Sequence, residues 1–203
     1  MPCSISKELI EKTIAFHGHS CPGLTIGIRA AELALQKLSH PDQSNLVAVV
    51  ETDMCGVDAI QFLTGCTFGK GNLIHKDYGK MAFNFYDRNK DVGFRAVLRA
   101  DISGKVGSEL RSLSKKVANG TANEEERIRY EELRRSLQDR YMNAEMEEMF
   151  ITMEPAFPIP KPARILQSLQ CEACGEMTME SRTRRIDGKT LCQPCFEKEE
   201  QKI

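Results

Sequence analysis

The sequence predicts an α+β protein: a core domain with a mixed or antiparallel sheet, followed by a small four-cysteine zinc module. Three observations carry this. Helical periodicity comes first and β-like apolar runs follow, an order that suits an α+β fold. The eight cysteines fall into two groups, Cys3, Cys21, Cys55 and Cys66 early and Cys171, Cys174, Cys192 and Cys195 late, with none between. Four of the eight prolines lie between Ile151 and Pro162, where their spacing forbids helix and favours an extended, semi-rigid linker. The boundary belongs near residues 155–169, which gives a core of 1–165 and a finger of 166–203.

Composition narrows the class. With 203 residues, 41% of them hydrophobic and 28% charged, the chain can bury a core, and wholesale disorder is excluded. Lys and Arg number 28 against 29 Asp and Glu, a balance that argues against nucleic-acid binding by bulk charge. No run approaches the ~18 apolar residues of a membrane span, and the N-terminus lacks the apolar region of a signal peptide. A cytoplasmic protein is expected, and clustered thiols in a reducing compartment point to metal or catalysis rather than disulfides.

Taken in order, Ile5, Leu9, Ile10 and Ile14 recur at helical spacing and predict a helix over about 7–16, ended by Gly18. Pro22 suits the first position of a second helix, with Leu24, Ile28, Ala31, Leu35 and Leu38 on one face and a stop before Pro41. Residues 45–53 read as a buried strand, 55–63 as a short helix, and 64–71 as a glycine-rich loop. Strands are expected at 72–76, 80–87 and 93–99. From 104 to 149 the pattern is that of charged helices. Leu110, Leu113 and Val117 form a stripe, Asn119-Gly120 breaks it, and Asn123 with Glu126 resembles a capping box. The following helix is dense in Glu and Arg, the pattern of a solvated face, so this hairpin reads as an arm or packing element.

In the tail, Cys171-Glu-Ala-Cys174 and Cys192-Gln-Pro-Cys195 are separated by seventeen residues. Each pair can wrap one side of a metal, and four thiolates satisfy a tetrahedral zinc ion with no open position. The alternatives are two disulfides or inert thiols, but a segment this short needs a staple to fold. An Asp-Gly hairpin signal at 187–188 and a helix start after Cys195 complete the layout of a treble-clef finger. From Cys171 to Ile203, six Lys and Arg face seven Asp and Glu. Nucleic acid is therefore disfavoured despite the Arg182–Arg185 cluster, and protein docking is preferred.

The richest stretch is Phe16-His-Gly-His-Ser-Cys-Pro-Gly-Leu24. If it is extended beyond Gly18, His17, His19 and Cys21 point one way. Cys21 precedes a helix start, where the positive end of the helix favours a thiolate. Cys55 occupies a similar junction, with Asp53 and Asp58 nearby. Two thiols and two imidazoles suit a second zinc-type site, or an open one with three protein ligands and a water. The catalytic candidates are His19, Cys21 and Cys55. Cys66 either joins them or is a buried thiol, Cys3 receives no role, and His40 and His75 are expected on the surface. Lys70, in Thr64-Gly-Cys-Thr-Phe-Gly-Lys-Gly-Asn72, is a candidate for binding an anionic cofactor on loop amides. The loop is no P-loop, since neither Ser nor Thr follows Lys70.

The segments His17–Leu24, Glu51–Ile60, Thr64–Leu73 and Tyr78–Phe83 resemble the FmdE family of formylmethanofuran dehydrogenase proteins over about residues 10–165, and the cysteine pairs resemble the zinc-finger tail of some members. The resemblance implies a thioredoxin-like core with a five-stranded mixed sheet flanked by helices. It also implies a core metal site on which His17, His19, Cys21 and Cys55 fall, and an association with molybdenum- or tungsten-dependent one-carbon redox metabolism. The expectation is a metal-dependent enzyme or accessory subunit, with structural zinc in the finger and zinc or another transition metal in the core. It would act on a small-molecule substrate or with a partner enzyme subunit, as a homo-oligomer and without membrane contact. A zinc-finger interaction or regulatory protein, and metal trafficking, are the alternatives.

Overall fold

A computed structural model describes residues 2–39, 41–42 and 44–200; His40 lies outside them. The chain divides into two compact units, Met1–Pro162 and Ala163–Ile203. The first runs α1 (Lys7–His17), α2 (Pro22–Lys37), β1 (Leu46–Val50), α3 (Gly56–Thr64), β2 (Leu73–His75), β3 (Ala82–Asp87), β4 (Val92–Leu98), α4 (Gly104–Ala118), α5 (Glu124–Asn143), α6 (Met146–Met149) and β5 (Phe150–Met153). Its sheet has the order β2-β1-β3-β4-β5. β1 and β2 are parallel, joined through α3, while β3, β4 and β5 follow antiparallel. The α+β class and the mixed five-stranded sheet thus stand as expected.

β5 lies at the start of the segment read as a linker. It pairs with β4 from Arg95↔Met153 to Leu98↔Phe150, yet only Phe150 of its four residues is buried. An edge strand with one buried position carries no alternation, so its pattern is silent. The proline-rich stretch after it is docked on the sheet and is no free spacer. Phe157 and Ile159 pack against Val47, Val49 and Tyr86. The Tyr86 hydroxyl donates to the Phe157 carbonyl at 2.9 Å, and Arg88 Nε donates to the Pro160 carbonyl at 2.8 Å. This strap covers the sheet face opposite the helices.

The main core lies on the helical face, where Ala48, Val50, Phe83, Phe85 and Ala96 meet α2 and α3. α2 departs from the one-sided stripe expected of it, because every residue from Leu24 to Ala34 is buried, Arg29 and Glu32 included. Buried charges need partners. Arg29 reaches Glu32 at 2.8 Å and the Ala144 carbonyl at 2.6 Å, while Ser4 donates to Glu32 from both its amide and its hydroxyl. α5 carries the predicted capping box, Asn123 with Glu126. It also buries Leu133, Leu137 and Tyr141, a stripe of three at four-residue spacing hidden among its charges that makes α5 a packing element.

α2 and α3 cross at backbone contact. A Cβ on Gly27 would lie 2.1 Å from the Gly56 carbonyl oxygen, and one on Gly56 would lie 2.9 Å from the Gly23 carbonyl oxygen. Only glycine allows this approach. On the strap's side of the sheet, Glu51 is buried against Arg95, which donates to its two carboxylate oxygens at 2.7 Å each, and Asn84 donates to one of them at 2.9 Å.

The second unit contains β6 (Ser168–Gln170), β7 (Met177–Met179), β8 (Thr183–Ile186), β9 (Lys189–Cys192) and α7 (Gln193–Glu199). Asp187 and Gly188 take φ 49 and 79 in the two-residue turn between β8 and β9, the conformation their dipeptide predicts.

Both close contacts in the core domain can be tested by stability. Gly27→Ala should destabilise the fold by about 3 kcal/mol, because backbone rather than a movable side chain occupies the space; a denaturant midpoint equal to wild type would contradict this. The Arg95 guanidinium holds the Glu51 carboxyl below its ordinary 4.5. The folded-state value is the lower one, so the pair's stabilisation is complete above the ordinary 4.5 and drains away as the pH falls from there through the folded-state value. Denaturation followed from about pH 6 to about pH 3 should show a shallower loss of stability in Glu51→Gln than in wild type.

Candidate metal centres

His17 ends α1, and Gly18 turns the chain in the left-handed region at φ 94, its N–H bonded to the Ile14 carbonyl. His19 and Ser20 follow in an exposed turn. Cys21 is the N-cap of α2, extended at φ -154, and its Sγ accepts from the Leu24 amide at 3.3 Å. Cys55 is the N-cap of α3. These elements bring one donor atom each of His17, His19, Cys21 and Cys55 within 4.8 Å of one another. Tetrahedral zinc, with Zn–S near 2.3 Å and Zn–N near 2.0–2.1 Å, needs ligand separations of roughly 3.3–3.8 Å. A small contraction of the cluster reaches that.

The donor set fits a metal on a second ground. His17 Nδ1 lies 2.7 Å from Asp58 Oδ2, so Nδ1–H donates to the carboxylate and the lone pair of the ring falls on Nε2. His17 Nε2 is buried and, among the described residues, has no hydrogen-bond partner. A buried nitrogen without a partner is costly, and an ion among these donors would satisfy it. Burial and the adjacent Cys21 thiol push the Cys55 thiol above its ordinary value; a cation would reverse that. Where α1 lies along α3, Phe16 stacks on Phe62 with centroids 5.5 Å apart, one helical turn beyond Asp58.

The structure thus gathers the four candidates named from sequence. Asp53 is exposed and outside the group, whereas Asp58 orients His17, a role that sequence reading left unassigned. The available signal was the spacing of Cys55 and Asp58, three apart and so on one side of α3. Cys66 is buried away from the cluster, donating to the Leu46 carbonyl at 3.4 Å, and burial raises its thiol. His75 is exposed at the end of β2. Lys70 is exposed in the loop that follows α3, at the opposite end of that helix from Cys55. Several amides that an anion would use are engaged within the loop: Thr67 donates to Asn72 Oδ1, Lys70 to Thr67 Oγ1 and Gly71 to the Phe68 carbonyl. The loop offers an anion the Lys70 ammonium rather than a nest of free amides.

In the second unit, Cys171, Cys174, Cys192 and Cys195 also place their sulfurs within 4.8 Å of one another. Cys174 and Cys192 are 3.9 Å apart, close to the ~3.8 Å edge of a tetrahedron of thiolates at zinc. Amides of Cys174 and Cys192 lower the Cys171 thiol to about 6, and the Cys192 thiol beside it pushes Cys195 up to about 12. One thiolate is favoured while Cys174 and Cys195 resist, as expected where like charges crowd before a metal shares them.

Comparison with known proteins agrees with this division. Residues 164–201 match the prokaryotic dksA/traR C4-type zinc finger. A protein of Archaeoglobus fulgidus described as "Probable S-adenosyl-L-methionine-binding protein" is 30% identical over 202 residues, covering 96% of this chain and 54% of that protein. The chain therefore spans about half the length of that relative. The crystal structure of a tungsten formylmethanofuran dehydrogenase FmdE-like protein from Syntrophus aciditrophicus matches with a TM-score of 0.61 at 24% identity, over 97% of this chain and 94% of that one. That likeness concerns the fold. Residues 16–151 match the family described as FmdE, molybdenum formylmethanofuran dehydrogenase operon, and since this match takes in most of the core and more than half of the chain, the protein belongs to the FmdE family.

Proposed function

We propose that the core cluster is a transition-metal centre, zinc foremost, held by His17, His19, Cys21 and Cys55. On this reading the chain works as a metal-dependent enzyme or accessory subunit tied to molybdenum or tungsten one-carbon redox metabolism. The observation that carries it is that His17, grouped with three further donors, has a buried Nε2 with no hydrogen-bond partner among the described residues while Asp58 fixes the opposite nitrogen. A bound divalent ion would supply Lewis-acid polarisation of a small ligand. The chain's own residues hold the donors: Asp58 keeps the proton on His17 Nδ1, the Leu24 amide supports Cys21, and burial keeps water from the inner side. The family description supports the metabolic link, with a small-molecule substrate or a partner subunit as the other participant.

The finger's four thiolates close its coordination shell, so its zinc is structural. A second reading, docking of another protein on the finger, is favoured by one observation. Met177 and Met179, two apart on β7, are exposed at 65% and 45%, an apolar pair on one face of a short strand.

Metal analysis of the full-length chain tests the centre. Wild type should carry two metal equivalents. Cys21→Ser and Cys55→Ser should each lose one while keeping the finger's zinc, and Cys192→Ser should lose the other. A wild-type stoichiometry of one, or two equivalents retained in both core variants, overturns the reading.

A further inference from the structure

The four core donors are not held alike. The His17 side chain is 11% exposed and hydrogen-bonded to Asp58. Cys21 is buried and accepts the Leu24 amide. Cys55 is half-buried and packs against the main core. Each of these three is fixed by a helix end and by a second contact.

His19 differs on every count. It is exposed, sits in the turn after Gly18, and among the described residues has no hydrogen-bond partner. Its ring contact is with His17, at 4.4 Å between centroids. The backbone beneath it is nevertheless anchored, because Ser20 Oγ donates to Gln138 Oε1 at 2.5 Å and the Ser20 carbonyl accepts from Arg134 at 3.2 Å. The imidazole can therefore swing about its own side-chain torsions without moving α1 or α2. Next to Ser20 opens a cavity of about 330 Å³, lined by Arg134, Arg135, Gln138, Glu131 and Asp139. Their charges balance two against two, so the cavity imposes no strong sign on what enters.

The geometry points to His19 as the displaceable ligand of the core centre, giving way to a small thiol that enters from the solvent side while His17, Cys21 and Cys55 stay in place. This rests on the metal-centre reading above. A thiol is the class favoured by a centre that already contains two thiolates, whose metals are soft or borderline. In the exchange the bond from the His19 nitrogen breaks and one from the entering sulfur forms. The thiol proton passes to solvent and no electrons are transferred. The site would thereby keep four ligands, three from the chain and one exchangeable, the arrangement that separates working centres from structural ones.

The test uses the full-length chain with zinc in the finger and cobalt(II) in the core, followed by visible absorption. Adding 2-mercaptoethanol should raise the thiolate-to-cobalt band of wild type by about half, as two thiolates become three. His19→Ala should bind cobalt no more than about tenfold more weakly, and added imidazole should restore its spectrum. His17→Ala should lose about a hundredfold or more and gain nothing from imidazole, because its position is buried. Asp58→Asn, a milder change for the case in which His17→Ala fails to fold, should weaken binding by about 10- to 100-fold. Equal losses in the His17 and His19 variants, or a wild-type spectrum untouched by the thiol, would overturn the assignment of His19. Failure of wild type to take up cobalt in the core overturns the metal-centre reading as well, and is recognised separately because it precedes any thiol addition.

Discussion

The core domain depends on the contact between the backbones of α2 and α3, where Gly27 meets Gly56 at a distance no side chain permits. Both helices begin with a cysteine at the N-cap, Cys21 in one and Cys55 in the other. Because the crossing lies within two turns of both starts, it also sets the separation of the two sulfurs. A wider crossing, such as larger residues impose at interaxial distances of 8–10 Å, would part the thiols. The glycines therefore act on the site through geometry alone, without touching a donor atom in the case of Gly27.

Around that crossing, charge is buried only where it is paired. From Leu24 to Ala34 α2 has no solvent face, so Arg29 and Glu32 pair with each other, and they do so while also binding the N-terminal segment and the turn after α5. Behind the sheet, Glu51 is answered by Arg95 and Asn84. At the cluster itself, Asp58 answers His17. These pairs differ in consequence. The first two hold the fold, whereas the third occupies one nitrogen of His17, a residue of the donor cluster.

The two cysteine clusters show opposite routes to a tetrahedral donor set. In the tail, each pair is three residues apart and the pairs are brought together by a hairpin whose turn is written in Asp187-Gly188. All four thiols come from one small unit, and the shell they offer has no open side. In the core, the donors come from the end of one helix, the turn beyond it and the starts of two more. One of them, His19, faces solvent. A site assembled from several elements can hold some ligands firmly and one loosely; a pair of knuckles cannot.

The sequence by itself determined much of this. Helix limits at Gly18 and Pro22, the capping box at Asn123, the Asp-Gly turn, the finger's cysteine pairs and the alternation of His17, His19 and Cys21 were legible because each is a local preference: a φ angle, a missing N–H, a short spacing; Cys55 joined them only by its matching place at a helix start. The family resemblance drawn from the motifs at His17–Leu24 and Glu51–Ile60 rested on the same local runs. Only the tertiary structure decided the rest. β5 became a strand because β4 offered an edge, since one buried residue in four gives no alternation. The prolines became a strap because Val47, Val49 and Tyr86 needed cover. Gly27 and Gly56 met, and Asp58 reached His17 across forty-one positions, because helix packing ignores distance along the chain. Local stereochemistry is written residue by residue; which two faces touch, and hence which donor is fixed and which is free, exists only once the chain has closed on itself.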